Sequence, residues 1–165
     1  MKIRFAVIDD IAEIADIEKV CFPETEAATY EEFKERFDKF GDCFLVVQER
    51  QKVIGFINGC CTDQPTLPDE LYHNPSLHQE DGAYQTVFGL DVLPDYRHQG
   101  VAGLLLNAFI NLAKERGKTG MVLTCKDHLI HYYEKFGFVW QGESYSNHGG
   151  AKWNDMYLRL NKEND

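Results

Sequence analysis

Several things are missing from this sequence, and each absence closes off a class of function. No apolar run approaches the roughly 20 residues needed to cross a bilayer. The opening "MKIRFAVIDD" has a short apolar stretch but no small-residue cleavage site. The expectation is a cytoplasmic protein with no membrane partner. Basic charge is scarce: 17 Lys and Arg stand against 27 Asp and Glu, for a net charge of −10. Nonspecific nucleic-acid binding wants a basic patch, so no nucleic-acid partner is expected. A cationic substrate suits the charge better. No C-x-x-C occurs, and the five cysteines (Cys21, Cys43, Cys60, Cys61, Cys125) are scattered. That spacing suggests neither a zinc site nor a disulfide framework. Cys43, Cys60 and Cys125 lie in apolar runs and read as small buried hydrophobes. His73, His78, His128 and His131 form no compact ligand set, so no metal is expected. Repeats and low-complexity segments are also absent. There is no G-x-G-x-x-G and no G-x-x-x-x-G-K-S/T, which argues against a dinucleotide fold and a P-loop.

What is present is an ordinary globular composition, 44% apolar and 27% charged, over 165 residues. That is enough for one domain with a real core, taken as residues 1–165. "KIRFAV" reads as a strand. In the helix that follows, Ile11, Ile14, Ile17 and Val20 are spaced by three and predict one apolar face. Asp10 and Glu13 suit its start. Thr29 and Glu32 predict a capping box, with Phe33, Phe37 and Phe40 on one face and Gly41 at the end. "CFLVVQER" and "KVIGFINGCC" read as a hairpin turning near Gln51. Residues 62–82 form a polar, proline-rich loop of a length that is usually functional or mobile. "AYQTVFGLDVL" reads as one long strand and "TGMVLTC" as another, with a helix between them. A short helix "DHLIHYYEKFG" and the strands "FVWQGESYS" and "DMYLRL" complete the chain. The order is β-α-α-β-β-β-α-β-α-β-β, a mixed α/β (α+β) sheet protein. Residues 83–125 are a candidate crossover unit.

The chemistry concentrates in "DVLPDYRHQGVAGLLLNAFINLAK", Asp91 to Lys114. Pro94 has no N–H and stops the strand. Gly100, Ala102 and Gly103 remove bulk where a helix opens. The first N–H groups of a helix lack backbone partners and carry partial positive charge. Small residues let a phosphate approach them, so Arg97 to Gly103 is a plausible diphosphate cradle. Close helix-to-strand packing is the competing explanation of the glycines. Leu104, Leu105, Leu106, Phe109 and Leu112 read as a packed helical face.

Two motifs together resemble the GCN5-related N-acetyltransferase (GNAT) superfamily. The first is Leu90-Asp91-Val92-Leu93-Pro94-Asp95-Tyr96 followed by Arg97-His98-Gln99-Gly100-Val101-Ala102, similar to that family's acyl-CoA motif. The second is Tyr133-Glu134-Lys135-Phe136-Gly137-Phe138 after the next strand. The chain looks closest to the arylalkylamine (serotonin-type) branch and its bacterial relatives. The resemblance implies a GNAT fold, with a mostly antiparallel sheet of about six or seven strands flanked by helices. It also implies acetyl transfer from acetyl-CoA to a primary amine by direct attack. Leu90, Asp91 and Val92 would then line the pantetheine and thioester, with the Val92 N–H donating to the thioester carbonyl. Amides within His98, Gln99, Gly100, Val101, Ala102 and Gly103 would hold the diphosphate, supplying local positive field in an acidic protein. Tyr133 occupies the position of the general acid that protonates the leaving thiolate, with Tyr132 as an internal control.

The chain departs from the serotonin-type branch at the base. The strand "YQTVFGLDVL" carries no histidine to relay the amine proton. Glu26 ranks first as its replacement, with Glu24 and His148 as alternatives acting through water. Cys125 with His128 three residues on is better read as a structural thiol than as a nucleophile. Some of Phe22, Tyr30, Phe33, Phe37, Tyr72, Tyr145 and Trp153 could wall an apolar amine pocket. The expected acceptor is a small arylalkylamine-like molecule. A peptide N-terminus, a polyamine, or a non-catalytic acyl-CoA sensor are the alternatives, and a homodimer is left open.

Overall fold

A computed structural model describes residues 1–160. The elements run β1 (Lys2–Phe5), α1 (Ile11–Cys21), α2 (Tyr30–Phe40), β2 (Phe44–Glu49), β3 (Lys52–Asn58), β4 (Cys61–Thr62) and α3 (Asp69–His73). They continue β5 (Tyr84–Val87), β6 (Gly89–Val92), α4 (Val101–Glu115), β7 (Gly120–Cys125), α5 (Ile130–Glu134), β8 (Val139–Glu143) and β9 (Asn154–Arg159). The mixed α/β class holds, and the expected order is kept with β4 and α3 added and one strand divided into β5 and β6. The chain divides into two compact units, one of residues 1–59 and 89–109, the other of residues 60–88 and 110 onward.

The first unit carries a four-stranded antiparallel sheet in the order β1-β2-β3-β6. The α1 helix buries Ile11, Ile14, Ala15, Ile17 and Glu18. Val20, expected on that face, is exposed. Each step of three residues falls about 60° short of a full circle, so three steps carry Val20 to the far side from Ile11. Asp10 does not cap α1 with its side chain. Its carboxylate instead accepts from the Val7 N–H at 2.8 Å and from Arg4 at 2.7 and 3.0 Å. In α2 the Thr29–Glu32 capping box forms as the spacing predicts. Phe33 packs edge-on against Phe56 at 5.5 Å, and Phe40 stacks on Phe44 at 5.9 Å. Gly41 is right-handed, with φ −56°. It makes room for the Phe37 ring, 3.1 Å from where a Cβ would stand, and is not a left-handed cap.

The second unit carries a five-stranded sheet in the order β4-β5-β7-β9-β8. Its β5–β7 pair is parallel and its other pairs are antiparallel. Residues 83–93, read as one strand, divide at Phe88. Tyr84–Val87 pairs with β7, whereas Gly89–Val92 pairs with β3 in the other sheet. Residues 62–82 are built, not featureless. They include α3, a 3₁₀ turn at Pro75–Leu77, a Cys61 N–H that donates to His78 Nδ1, and a Gln79 side-chain amide that accepts from the Asp63 N–H and donates to the Asp63 carboxylate. The buried Lys118 ammonium clamps the end of this segment, donating to the carbonyls of Glu80 at 2.8 Å and Gly82 at 2.7 Å. No cysteine forms a disulfide among the described residues, and Cys43, Cys60, Cys61 and Cys125 are buried. Among the described residues no helix is long and apolar enough to cross a membrane.

Candidate active site

The β6 strand ends its sheet, so among the described residues only one of its sides pairs with a strand of that sheet. Antiparallel partners alternate between pairs that exchange hydrogen bonds and pairs that do not. The Leu93 N–H donates to the Ile54 carbonyl, which fixes the alternation. By this register Asp91 exchanges bonds with Phe56 and Gly89 with Asn58, while Leu90 and Val92 do not bond Ile57 and Gly55. The Leu90 and Val92 amides therefore point off the edge of the sheet. On that side the Val92 carbonyl accepts from Arg97 Nε at 3.0 Å and Cys21 Sγ at 3.4 Å.

Pro94–Tyr96 makes one 3₁₀ turn after β6. Two left-handed residues follow, His98 with φ 62° and Gly100 with φ 79°. Such alternation gathers successive backbone N–H groups into an anion-binding concavity. The Gly100 carbonyl accepts from Leu104 N–H at 3.0 Å, the first full turn of α4. The Val101, Ala102 and Gly103 amides therefore have no helix carbonyl to bond. His98, Gln99 and Gly100 are exposed, Ala102 and Gly103 half-buried. No atom lies within 4 Å of a Cβ built on Gly100, so the glycine there serves conformation and not crowding. Arg97 reaches back with Nη2 to Cys21 Sγ at 3.3 Å. Along α4, Leu105, Leu106 and Phe109 are fully buried, but Leu104, expected with them, is exposed.

Of the residues singled out in the sequence, Glu26, Leu90, Asp91, Val92 and Arg97 to Gly103 belong to the first unit, and Tyr133 to the second. Glu26 is half-buried in the turn after α1, its N–H bonded to the Pro23 carbonyl at 2.9 Å; Glu24 is exposed. Tyr133 is buried on α5, against Phe138 at 5.8 Å. Tyr132, the internal control, lies against Tyr133: the two rings meet edge-on at 5.3 Å. His148 stacks on Tyr72 at 5.9 Å and 9°, beside Trp153. Phe33 is a core residue and Tyr145 is exposed, so neither walls a pocket. Burial pushes the Cys125 thiol up to about 11, with the Asp127 charge adding to the effect, as befits a structural thiol.

Two carboxyl groups break the usual rules of burial. Asp91 and Glu18 are 1% and 7% exposed. Burial, followed by the Glu18 charge, pushes the Asp91 carboxyl well above the usual carboxylate range, while Arg97 opposes this. In the sequence Asp91 reads as a backbone contributor to the pantetheine edge, and no local motif joins Glu18 to it. The signal for Glu18 was available: it stands seven residues after Ile11, on the helix's apolar face.

Comparison with known proteins gives consistent results. The model of the Acetyltransferase (GNAT) family matches residues 11–138. Human N-acetyltransferase 8 is 26% identical over 108 residues, 64% of this chain and 42% of that protein. Serotonin N-acetyltransferase of Mesocricetus auratus is 32% identical over 91 residues, 54% of this chain and 42% of that protein. The chain thus spans less than half the length of these curated relatives. The structure of YncA from Salmonella typhimurium, with its cofactor acetyl-CoA, superposes with a TM-score of 0.72. It is 18% identical and covers 100% of this chain and 96% of that one, a likeness of fold.

Proposed function

This chain belongs to the acetyltransferase (GNAT) family, and from that premise we propose that it transfers acetyl from acetyl-CoA to the primary amine of a small, arylalkylamine-like acceptor, residues 1–165 acting as one domain. The observation that carries this reading is the strand–cradle–helix run from Gly89 to Gly103. An edge strand with outward amides leads, through two left-handed residues, into the unpaired first turn of a 15-residue helix. A diphosphate fits such donors without any cluster of lysines.

In this reading the amides of His98 to Gly103 hold the diphosphate, while Leu90, Asp91 and Val92 offer the strand edge to the pantetheine arm. The Val92 N–H donates to the thioester oxygen as negative charge develops there. Tyr133 gives its hydroxyl proton to the departing thiolate. Glu26, in the segment between α1 and α2, is the carboxylate that meets the acceptor as it arrives.

Thiol release from acetyl-CoA with tryptamine, phenethylamine, spermidine and short peptides tests the proposal. Turnover fastest with the arylalkylamines is expected. Turnover with peptides alone would replace the acceptor with a peptide N-terminus. Tight CoA binding without turnover on any acceptor would make the protein an acyl-CoA sensor.

A further inference from the structure

Asp91 Oδ1 and Oδ2 are both buried and meet no N–H donor among the described residues; their polar neighbour is the Glu18 carboxyl, close enough to share a proton with Asp91 in a side-chain hydrogen bond. Glu18 faces Asp91 from α1. Its Oε2 is held by the Ala28 N–H at 2.9 Å, and its Oε1 is directed to the same place as Asp91 Oδ1. That place is the space beside Gly89, a half-buried glycine. A Cβ built on Gly89 would stand 3.1 Å from Asp91 Oδ1, 3.8 Å from Glu18 Oε1 and 3.8 Å from Asn58 Nδ2. Asn58 is 1% exposed, and its Oδ1 is also buried without a partner. Helix α1 and strands β3 and β6 thus each bring a polar group to one narrow notch, where Gly89 adds no side chain of its own.

Folding alone does not explain this arrangement. Two buried carboxyl groups facing each other are strongly unfavourable unless a cation or a proton balances them. The Arg97 guanidinium is committed to the Val92 carbonyl and Cys21 Sγ. Cys21, the remaining titratable neighbour, has its thiol pushed up by burial and adds no positive charge. One proton shared by Asp91 and Glu18 balances the pair, and a small cation bearing protons can take that proton's place.

Resting on the acetyl-transfer reading above, we propose that the notch beside Gly89 receives the acceptor's ammonium group, and that the Asp91–Glu18 pair takes its proton. The doubly ionised pair is a stronger base than a lone carboxylate, since one proton relieves the repulsion between two buried charges. The ammonium nitrogen gives one proton to the pair, and its freed lone pair forms the C–N bond at the thioester carbonyl carbon. The C–S bond then breaks, and the sulfur leaves with the Tyr133 hydroxyl proton. The new amide nitrogen sheds its extra proton, which restores Tyr133, and the pair's proton passes to water. Asp91 immediately precedes Val92 on β6, so proton acceptor and thioester donor are fixed by one strand.

The test compares Asp91→Asn, Glu18→Gln, Gly89→Ala and Glu26→Gln, using the amine in the screen above that wild type acetylates fastest. CoA affinity by calorimetry and the carbon-13 titration of the Asp91 carboxyl are measured alongside. Asp91→Asn is expected to lower kcat by about 100-fold or more with CoA affinity intact. The acid limb of its kcat/KM profile should also move to lower pH. Gly89→Ala should raise KM for the amine, and Glu18→Gln should bring the Asp91 titration down towards the ordinary range. An ordinary Asp91 titration in wild type would overturn the proposal even if no acceptor is ever acetylated. So would an unchanged rate and profile in Asp91→Asn, or an acid limb lost in Glu26→Gln instead. If wild type acetylates nothing while Asp91 titrates high and responds to Glu18→Gln, the acetyl-transfer reading fails and the coupled pair stands.

Discussion

Arg97 Nε donates to the Val92 carbonyl oxygen at 3.0 Å, tying the last residue of β6 to the first residue of the cradle. The bond crosses five positions of chain and spans the turn that Pro94 begins. It holds the turn that aims the His98–Gly103 amides. Arg97→Ala should therefore weaken CoA binding by about 5- to 20-fold, since a charge-assisted bond at an exposed position is lost. Arg97→Lys should recover little of it, because an ammonium lacks the fork that reaches Val92 and Cys21 together. Calorimetry on the two variants measures both effects; full affinity in Arg97→Ala would show that the turn holds itself.

The Asp91 carboxyl sits above its ordinary range, so the folded state binds its proton more tightly than the unfolded state does. Its stabilising contribution is fully present below the unfolded value, near 3.8, and is lost as pH rises from there through the raised folded value. Urea midpoints of wild type should accordingly fall with rising pH across that window more steeply than those of Asp91→Asn. The variant should be the more stable protein at the alkaline end. Parallel curves would mean that Asp91 is ionised as easily in the folded chain as in the unfolded one.

Gly100 has φ 79° and open space where a Cβ would stand. Substitution there meets no atom, and its whole effect comes from the backbone. Gly100→Ala should cost about 1 kcal/mol of stability. If it relaxes the left-handed turn, CoA affinity should fall as well. Thermal denaturation with and without CoA separates the two: a drop in midpoint with an unchanged CoA-induced shift would confine the role of Gly100 to folding.

The capping box at Thr29 was legible because its two residues stand three positions apart and act on each other. Thr29 Oγ1 accepts from the Glu32 N–H at 3.2 Å, and Glu32 Oε1 accepts from the Thr29 N–H at 3.2 Å. Thr29→Ala should cost about 1 kcal/mol, read from urea midpoints, whereas Thr29→Ser should cost little. The cradle was legible for a similar reason, since its glycine and small residues are contiguous. The division of residues 83–93 at Phe88 was not. Each half is a good strand, and only the choice of partner, β7 or β3, distinguishes them. The Asp91–Glu18 pair is separated by 73 positions, so no local pattern joins its members. Glu18 announced itself only as a charge on a buried helix face, and Gly89 only as a glycine within a strand.

Tyr133 and Tyr132 offer a direct test of the general acid, provided that ring and hydroxyl are treated separately. Tyr133 packs its ring against Phe138 and Tyr132, contacts that phenylalanine preserves. Tyr133→Phe should therefore leave the thermal midpoint and CoA affinity near wild type, and lower kcat by about 100-fold or more. Burial alone pushes the Tyr132 hydroxyl up, which makes it a poorer source of charge but not a participant. Tyr132→Phe should keep full turnover. Tyr132→Ala should not, because it removes the face against which the Tyr133 ring rests and leaves a cavity beside it. A full rate in Tyr133→Phe would assign the thiolate's proton to water. Loss of rate in Tyr132→Phe with Tyr133→Phe unaffected would move the acid to Tyr132.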